Sequence, residues 1–205
     1  MTDTAHSPDR IAELLVHVGR AARSEDARAD LTAVQWACLR FFARANATTR
    51  TPSAFASFQA TTRGTASQVI KALEMRGLIA RRPSPVDGRS VRFDLTEAGR
   101  HLLKSDPLGA LSGLLGAMGG VERAAFLATL SRLASGLAEI KNAPAFGTCR
   151  DCTHFAGSGG AGYCACMDAA LGADEIDMLC ASYRGPKGAH RTTRTSDVNT
   201  QGQTP

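Results

Sequence analysis

The sequence predicts a mainly α fold with one small β-hairpin, a helical region suited to self-association, and a separate cysteine-rich module. Three observations carry this. Apolar residues recur at helical spacing through much of residues 8–140. One pair of short strand-like segments flanks the turn-forming stretch PSPVDGR at 83–89. Five of the six cysteines fall between Cys149 and Cys180. The 205 residues allow one ordinary domain plus an appendage, and the 43% apolar content is enough for a core.

The first helix is expected over 8–24. Ser7 is its N-cap, Pro8 stands at the first helical position, and Ile11, Leu14, Leu15 and Val18 form a stripe. Thr32 caps a second helix over 32–45, with Val34, Trp36, Leu39, Phe41 and Phe42 as its apolar contacts. Cys38 lies within it and reads as a small buried hydrophobe. Residues 47–51 form a turn, and Thr51-Pro52 opens a short third helix with Phe55 and Phe58 on one face. In the next helix Ala66, Val69, Ile70 and Leu73 make an apolar stripe, Arg63, Thr65, Ser67, Gln68 and Lys71 fall off it, and Gly77 is the C-cap. Two short, tightly joined helices of this kind make a helix-turn-helix.

Strands are expected at 78–82 and 90–95, and Thr96-Glu97 starts another helix. A helix-turn-helix followed by a basic hairpin is a winged helix-turn-helix. Pro107 interrupts the next stretch, and residues 108–140 repeat Leu, Ala, Met and Phe at helical spacing with a break at Gly119-Gly120. So apolar a region outside a compact winged domain needs a partner, and a second copy of the chain is the simplest one. The expected organisation is an N-terminal dimerisation helix in 1–30, a winged domain at 31–103 and C-terminal dimerisation helices at 104–143. A cysteine module at 149–183 and a disordered polar tail at 184–205 complete it.

Charge separates these units. Residues 31–106 carry twelve Lys/Arg against five Asp/Glu, whereas 149–184 carry two against five. A basic block beside an acidic module points to phosphate binding by the first and not by the second. No run of eighteen apolar residues is present, and the polar stretch MTDTAHSPDR is no signal peptide, so a cytoplasmic location is expected. In that compartment closely spaced cysteines are metal ligands or redox thiols more often than disulfides.

Residues 31–103 resemble the MarR family of winged-helix regulators. The resemblance rests on LTAVQWACLRFFA, on the stretch from TPSAF to LTEAGR, and on Asp87-x-Arg89 followed by Leu95-Thr96-Glu97-Ala98-Gly99. It implies a homodimer whose terminal helices interlock. It also implies double-stranded DNA as partner, read as a pseudo-palindromic operator, usually by a repressor that responds to a small-molecule effector or oxidant. Arg63, Thr65, Ser67, Gln68 and Lys71 are the expected readers in the major groove. Arg89 is expected at the wing, oriented by Asp87, with Arg81, Arg82 and Arg92 on phosphates.

The cysteine spacing is C-x2-C-x11-C-x-C-x13-C. Cys149, Cys152, Cys164 and Cys180 are the expected metal ligands, with Cys166 a possible fifth and His154 a ligand or a hydrogen-bonding neighbour. The segment is similar to small bacterial modules of the pattern C-x2-C-x-[HF]-F…C…C-x-x-[FY]. That resemblance implies a [4Fe–4S] cluster, and zinc or an unmetallated thiol switch remain open beside it. The module is expected to hang from the 108–140 helices, away from the basic reading head. An enzyme is not expected, since there is no glycine-rich cofactor loop, no C-x3-C-x2-C, and no βαβ pattern around the C-x2-C.

Overall fold

The computed structural model describes residues 7–23, 31–83, 91–158 and 160–185. The wing tip with Asp87 and Arg89 and the tail from 186 onward lie outside the described residues.

Four helices come first. They are α1 (Pro8–Ala21), α2 (Ala33–Arg44), α3 (Pro52–Phe58) and α4 (Arg63–Met75). Each starts on a hydroxyl cap, from Ser7, Thr32, Thr51 and Thr62 in turn, and Thr32 with Gln35 forms a reciprocal capping box. The first helix ends at Ala21, three residues short of the expectation. Strands β1 (Ile79–Pro83) and β2 (Val91–Leu95) pair antiparallel, with Ile79 opposite Leu95 and Arg82 opposite Arg92. Then follow α5 (Glu97–Leu102), α6 (Gly109–Gly116) and α7 (Gly120–Ile140). The break between α6 and α7 falls at the expected glycine pair.

One core holds the winged domain together. Phe41, Phe42 and Phe55 are buried at its centre with Leu39, Leu73, Ile79 and Phe93 around them. Ring centroids of Phe41 lie 5.5 Å from both Phe42 and Phe55 and 5.1 Å from Phe58. Cys38 is fully buried here, as expected, and burial raises its thiol pKa far above the ordinary value. Arg40 fixes the chain after α5 through a 2.7 Å ion pair with Asp106.

The LTEAG stretch is a structural device. Thr96 Oγ1 donates to the Gly77 carbonyl at 2.6 Å and accepts from the Gly99 N–H at 3.1 Å, so one hydroxyl caps α5 and ties it to the end of α4. Gly99 is buried against Leu78, and a Cβ there would collide with the Leu78 carbonyl. The Gly99→Ala variant should therefore unfold at lower urea concentration, with a loss of about 1–3 kcal/mol. A midpoint unchanged from the parent protein would show that α5 is free to shift.

Helices α1, α6 and α7 bury no residue. Ile11, Leu14, Val16, Val121, Leu127, Leu137 and Ile140 are exposed. Among the described residues no helix is long and apolar enough to cross a membrane.

The cysteine module contains β3 (Gly147–Thr148), β4 (Phe155–Ser158), β5 (Ala161–Cys164), β6 (Ala169–Leu171), α8 (Ala173–Ile176) and β7 (Leu179–Cys180). Strands β4, β5 and β6 form a meander, and β3 pairs with β7 so that Gly147 faces Cys180. Its placement corrects one expectation. The module does touch α7, where the Tyr183 hydroxyl meets Ser135. It also packs directly on the winged domain. Phe146 joins the aromatic cluster 5.2 Å from Phe58, and Ala45 makes a parallel bridge to Leu179. The expectation placed the module away from the reading head because nothing in a linker reading of 142–148 marks Phe146 as a core residue.

Candidate nucleic-acid interface and cysteine centre

The exposed face of α4 is built from its buried one. Ala66, Ile70 and Leu73 are buried against the core. The 3.6-residue period then leaves Arg63, Thr65, Ser67, Gln68 and Lys71 in solvent. Thr62 Oγ1 accepts from the Thr65 N–H at 3.1 Å and lies 2.9 Å from the Thr65 hydroxyl, so the start of the helix is pinned. No acidic residue occupies the first turn. Its positive dipole end and Arg63 therefore act together on an approaching anion.

In the hairpin, Arg81 and Arg82 are exposed. Arg92 is placed differently. It is half-buried and forms a 3.4 Å ion pair with Asp94, two residues along and hence on the same strand face. Its Nε is buried with no hydrogen-bond partner among the described residues. Of the nine residues expected on DNA, seven therefore stand exposed on α4 and β1, Arg92 is engaged within the hairpin, and Arg89 lies outside the described residues.

The module gathers four cysteines by short-range pairing. Pairing of β3 with β7 brings Cys149 beside Cys180, and the β4–β5 register sets Phe155 opposite Cys164. A turn in which the Cys152 N–H donates to the Cys149 carbonyl at 3.0 Å folds Cys152 back. Cys149, Cys164 and Cys180 are buried and Cys152 is half-buried, whereas Cys166 is exposed. Burial pushes the Cys149 thiol up to about 11, and Cys180, Cys164, Cys152 and Glu175 add to the shift in that order. All three other thiols thus lie within electrostatic reach of Cys149. Burial also raises Cys180, opposed by hydrogen bonds from the Ser182 backbone N–H and the Asn46 side chain. The Arg184 N–H donates to Cys152 Sγ at 3.5 Å.

Two further facts bear on what this set can hold. As positioned, no three His, Cys, Asp or Glu side chains among the described residues could hold a metal ion. The module's own apolar core is small, with Cys149, Cys164, Leu171 and Ile176 buried and Phe155 and Met167 packed on them. Such a core is too small to fold a unit of this length without a staple. The exposed Arg150–Asp177 pair, at 2.8 Å, adds little.

Sequence reasoning passes over Asn46, which falls between the expected helix and turn, reads Thr49 and Arg50 only as turn residues, and reads Phe146 and Tyr183 as linker and end of the module. All five fasten the module to the rest of the chain. The isolated aromatic of Pro144-Ala-Phe-Gly147 was the one signal available.

Comparison with known proteins agrees with this geometry for the winged segment. Residues 29–90 match the MarR family model. Among solved structures the chain is similar to the MepR–DNA complex of S. aureus, with a TM-score of 0.51 and 19% identity over 66% of this chain and 99% of that one. It is also similar to the PcaV transcriptional regulator of Streptomyces coelicolor in complex with its natural ligand. There the TM-score is 0.47 and the identity 22%, over 66% of this chain and 96% of that one. At 19% identity the likeness to the MepR complex is one of fold, and the fold is that of MarR winged-helix structures. No curated protein matches the chain. The segment matched to the MarR model ends before the cysteine module.

Proposed function

We propose that the protein is a MarR-type, DNA-binding transcriptional regulator, acting as a homodimeric repressor, whose four-cysteine centre holds an iron–sulfur cluster that reports on redox state or iron. The observation that carries the DNA-binding reading is the exposed polar and basic face of α4, in a segment that matches the MarR model. Gln68 has the two-pronged amide suited to adenine, and Arg63 and Lys71 suit guanine or phosphate. The uncovered apolar surfaces of α1 and α7 support a second copy as partner, which would set two α4 helices about one DNA turn apart.

The reading of the cysteine centre rests on its donor set. Four thiols of low exposure, with N–H groups directed at two of the sulfurs, suit a thiolate-held group. The resemblance of the segment to small bacterial cluster-holding modules favours an iron–sulfur cluster over zinc, which suits four thiolates equally well. When bound, such a cluster supplies one-electron chemistry and oxygen sensitivity. Cys149, Cys152, Cys164 and Cys180 would hold it.

Selection of bound sequences from a random duplex pool tests the DNA reading. The expected result is a pseudo-palindromic site. On that site Gln68→Ala should cost about 1–3 kcal/mol and relax the preference at one position per half-site. Lys71→Ala should weaken all duplexes alike and flatten the salt dependence by about one unit of slope per protomer. A parent protein that enriches no sequence would overturn the reading.

A further inference from the structure

We propose that residues 45–50, the turn between α2 and α3, form a joint that links the cysteine centre to the DNA-reading head, with Asn46 positioning Cys180 and Arg50 reaching the root of the wing. The inference rests on the reading above that the four thiols hold a metal group.

The strongest observation is the burial of polar groups. Asn46 is 4% exposed and Thr49 2%, and they are the buried polar side chains of the described residues. A polar group is tolerated in such a place only when its bonds are made. The Asn46 carbonyl oxygen accepts from the Thr49 N–H at 2.9 Å and the Thr48 hydroxyl at 3.0 Å, which shapes the turn. The other bonds cross to the module on both sides of Cys180. The Asn46 N–H donates to the Leu179 carbonyl at 2.9 Å, and the Ala181 N–H donates to Thr49 Oγ1 at 2.9 Å. The turn therefore holds residues 179 and 181 directly, and the cysteine between them cannot move alone. The Thr48 hydroxyl also meets Met167 Sδ at 3.8 Å, so the module touches the turn at a second place.

The far side of the same turn is fastened to the reading head. Arg50 Nε donates to the Ala45 carbonyl at 2.7 Å, which braces the turn across its base. Its Nη1 donates to Asp94 Oδ1 at 2.9 Å, and its carbonyl accepts from the Phe93 N–H at 2.9 Å. Both partners lie on β2, the second wing strand. The next residue, Thr51, caps α3 by accepting from the Ala54 N–H at 3.2 Å, and α3 packs on α4. Residues 45–51 thus contact the strand that carries Cys180, the wing and the first helix of the helix-turn-helix. Docking alone would need only the aromatic contact of Phe146. A bonded connection from the centre to both parts of the head is what a change in thiolate spacing would need to reach the DNA-binding surface.

The test uses the full chain, stripped of metal and then reconstituted anaerobically with ferrous iron and sulfide. Two quantities are read on each form. One is backbone amide exchange in peptides covering 51–58 and 91–95, and the other is affinity for the selected operator at fixed salt. Reconstitution is expected to slow exchange in both peptides by about tenfold or more and to change operator affinity by a factor of similar size. Asp94→Asn cuts the Arg50 arm at a distance from the thiols. It should retain the parent's iron content while the response of the 91–95 peptide falls to within about twofold of none. Asn46→Ala should weaken the response of both peptides. Because it also removes the side-chain acceptor of the Thr48 hydroxyl and one of the two acceptors of the Thr49 N–H, Asp94→Asn is the deciding variant, with thermal unfolding to confirm that it is folded.

An Asp94→Asn protein that responds like the parent overturns the joint, as does a parent whose two peptides exchange alike in both forms. If the peptides respond but operator affinity does not, the joint stands and the regulatory reading falls. A chain that takes up no iron is carried through the same comparison with zinc alone, which tests the joint with the other metal. Retention of neither metal overturns the joint and the metal reading together.

Discussion

Replacing Phe41 by alanine is expected to destabilise the protein by about 3–5 kcal/mol, a large share of the roughly 5–15 kcal/mol that holds an ordinary domain together. Phe41 is 2% exposed and its ring contacts Phe42, Phe55 and Phe58, with Phe146 at 6.4 Å. The cavity would open where the winged domain and the chain entering the module share one cluster. Urea unfolding should show the midpoint falling in parallel for a probe of the helical head and a probe of the module. Phe146→Ala removes a ring that is only partly buried and should cost less. A Phe41→Ala cost under about 1 kcal/mol would mean that the cluster is not the centre of the core.

Cys149→Ser is expected to abolish metal retention by the reconstituted protein, whereas Cys166→Ser should leave it unchanged. Cys149 is buried and within reach of the other three thiols, and Cys166 is exposed. Iron, sulfide and zinc determined per chain would check both. Structural thiolate sites supply on the order of 10 kcal/mol or more of apparent binding free energy, so the serine variant should also lose the protease resistance of residues 147–184. The stripped parent protein carries a pH signature of its own. Burial pushes the Cys149 thiol up to about 11 in the folded chain from its ordinary value of 9.0, so folding favours its protonated form. That contribution is fully present below pH 9 and is lost as the pH rises through 11. Protease digestion of the stripped protein across that range should show the module loosening toward high pH. A module that becomes more resistant with rising pH would contradict the assignment.

The winged head was legible because its signals are local and agree with one another. Thr32, Thr51-Pro52 and Thr96 mark helix starts in the sequence, and each threonine caps a helix in the structure. Gly77 adopts a φ of +67° at the end of α4, the left-handed conformation that a glycine C-cap supplies. The outward face of α4 followed from the same period that buried Ala66, Ile70 and Leu73. Cys180, expected as a ligand, is buried, and Cys166, expected as a possible fifth, is exposed; the pairing of β3 with β7 has no signal in the sequence.

The docking of the module was not legible, for a physical reason. Asn46, Thr48 and Thr49 are residues that turns prefer, and a turn is ordinarily wet. Only a second segment, about 130 residues further along the chain, buries them, and no local pattern encodes that approach. The engagement of Arg92 was hidden similarly. Strand alternation puts it on the Asp94 face, but which of several nearby acids it pairs with depends on hairpin register. Sequence-level charge counting treats such an arginine as available to DNA.

Removing the C-terminal module would not leave a smaller version of the same protein. A chain cut after α7 keeps every helix of the head, yet it strips the Asn46 N–H and the Thr49 hydroxyl of their partners and bares the aromatic surface that Phe146 covers. The truncated protein would present a new sticky face, with polar groups stripped of their partners, beside α3. Aggregation or altered operator binding in such a fragment would then report on that scar rather than on the loss of a sensor. Point changes at the thiols, which leave the cover in place, are the cleaner way to separate the two.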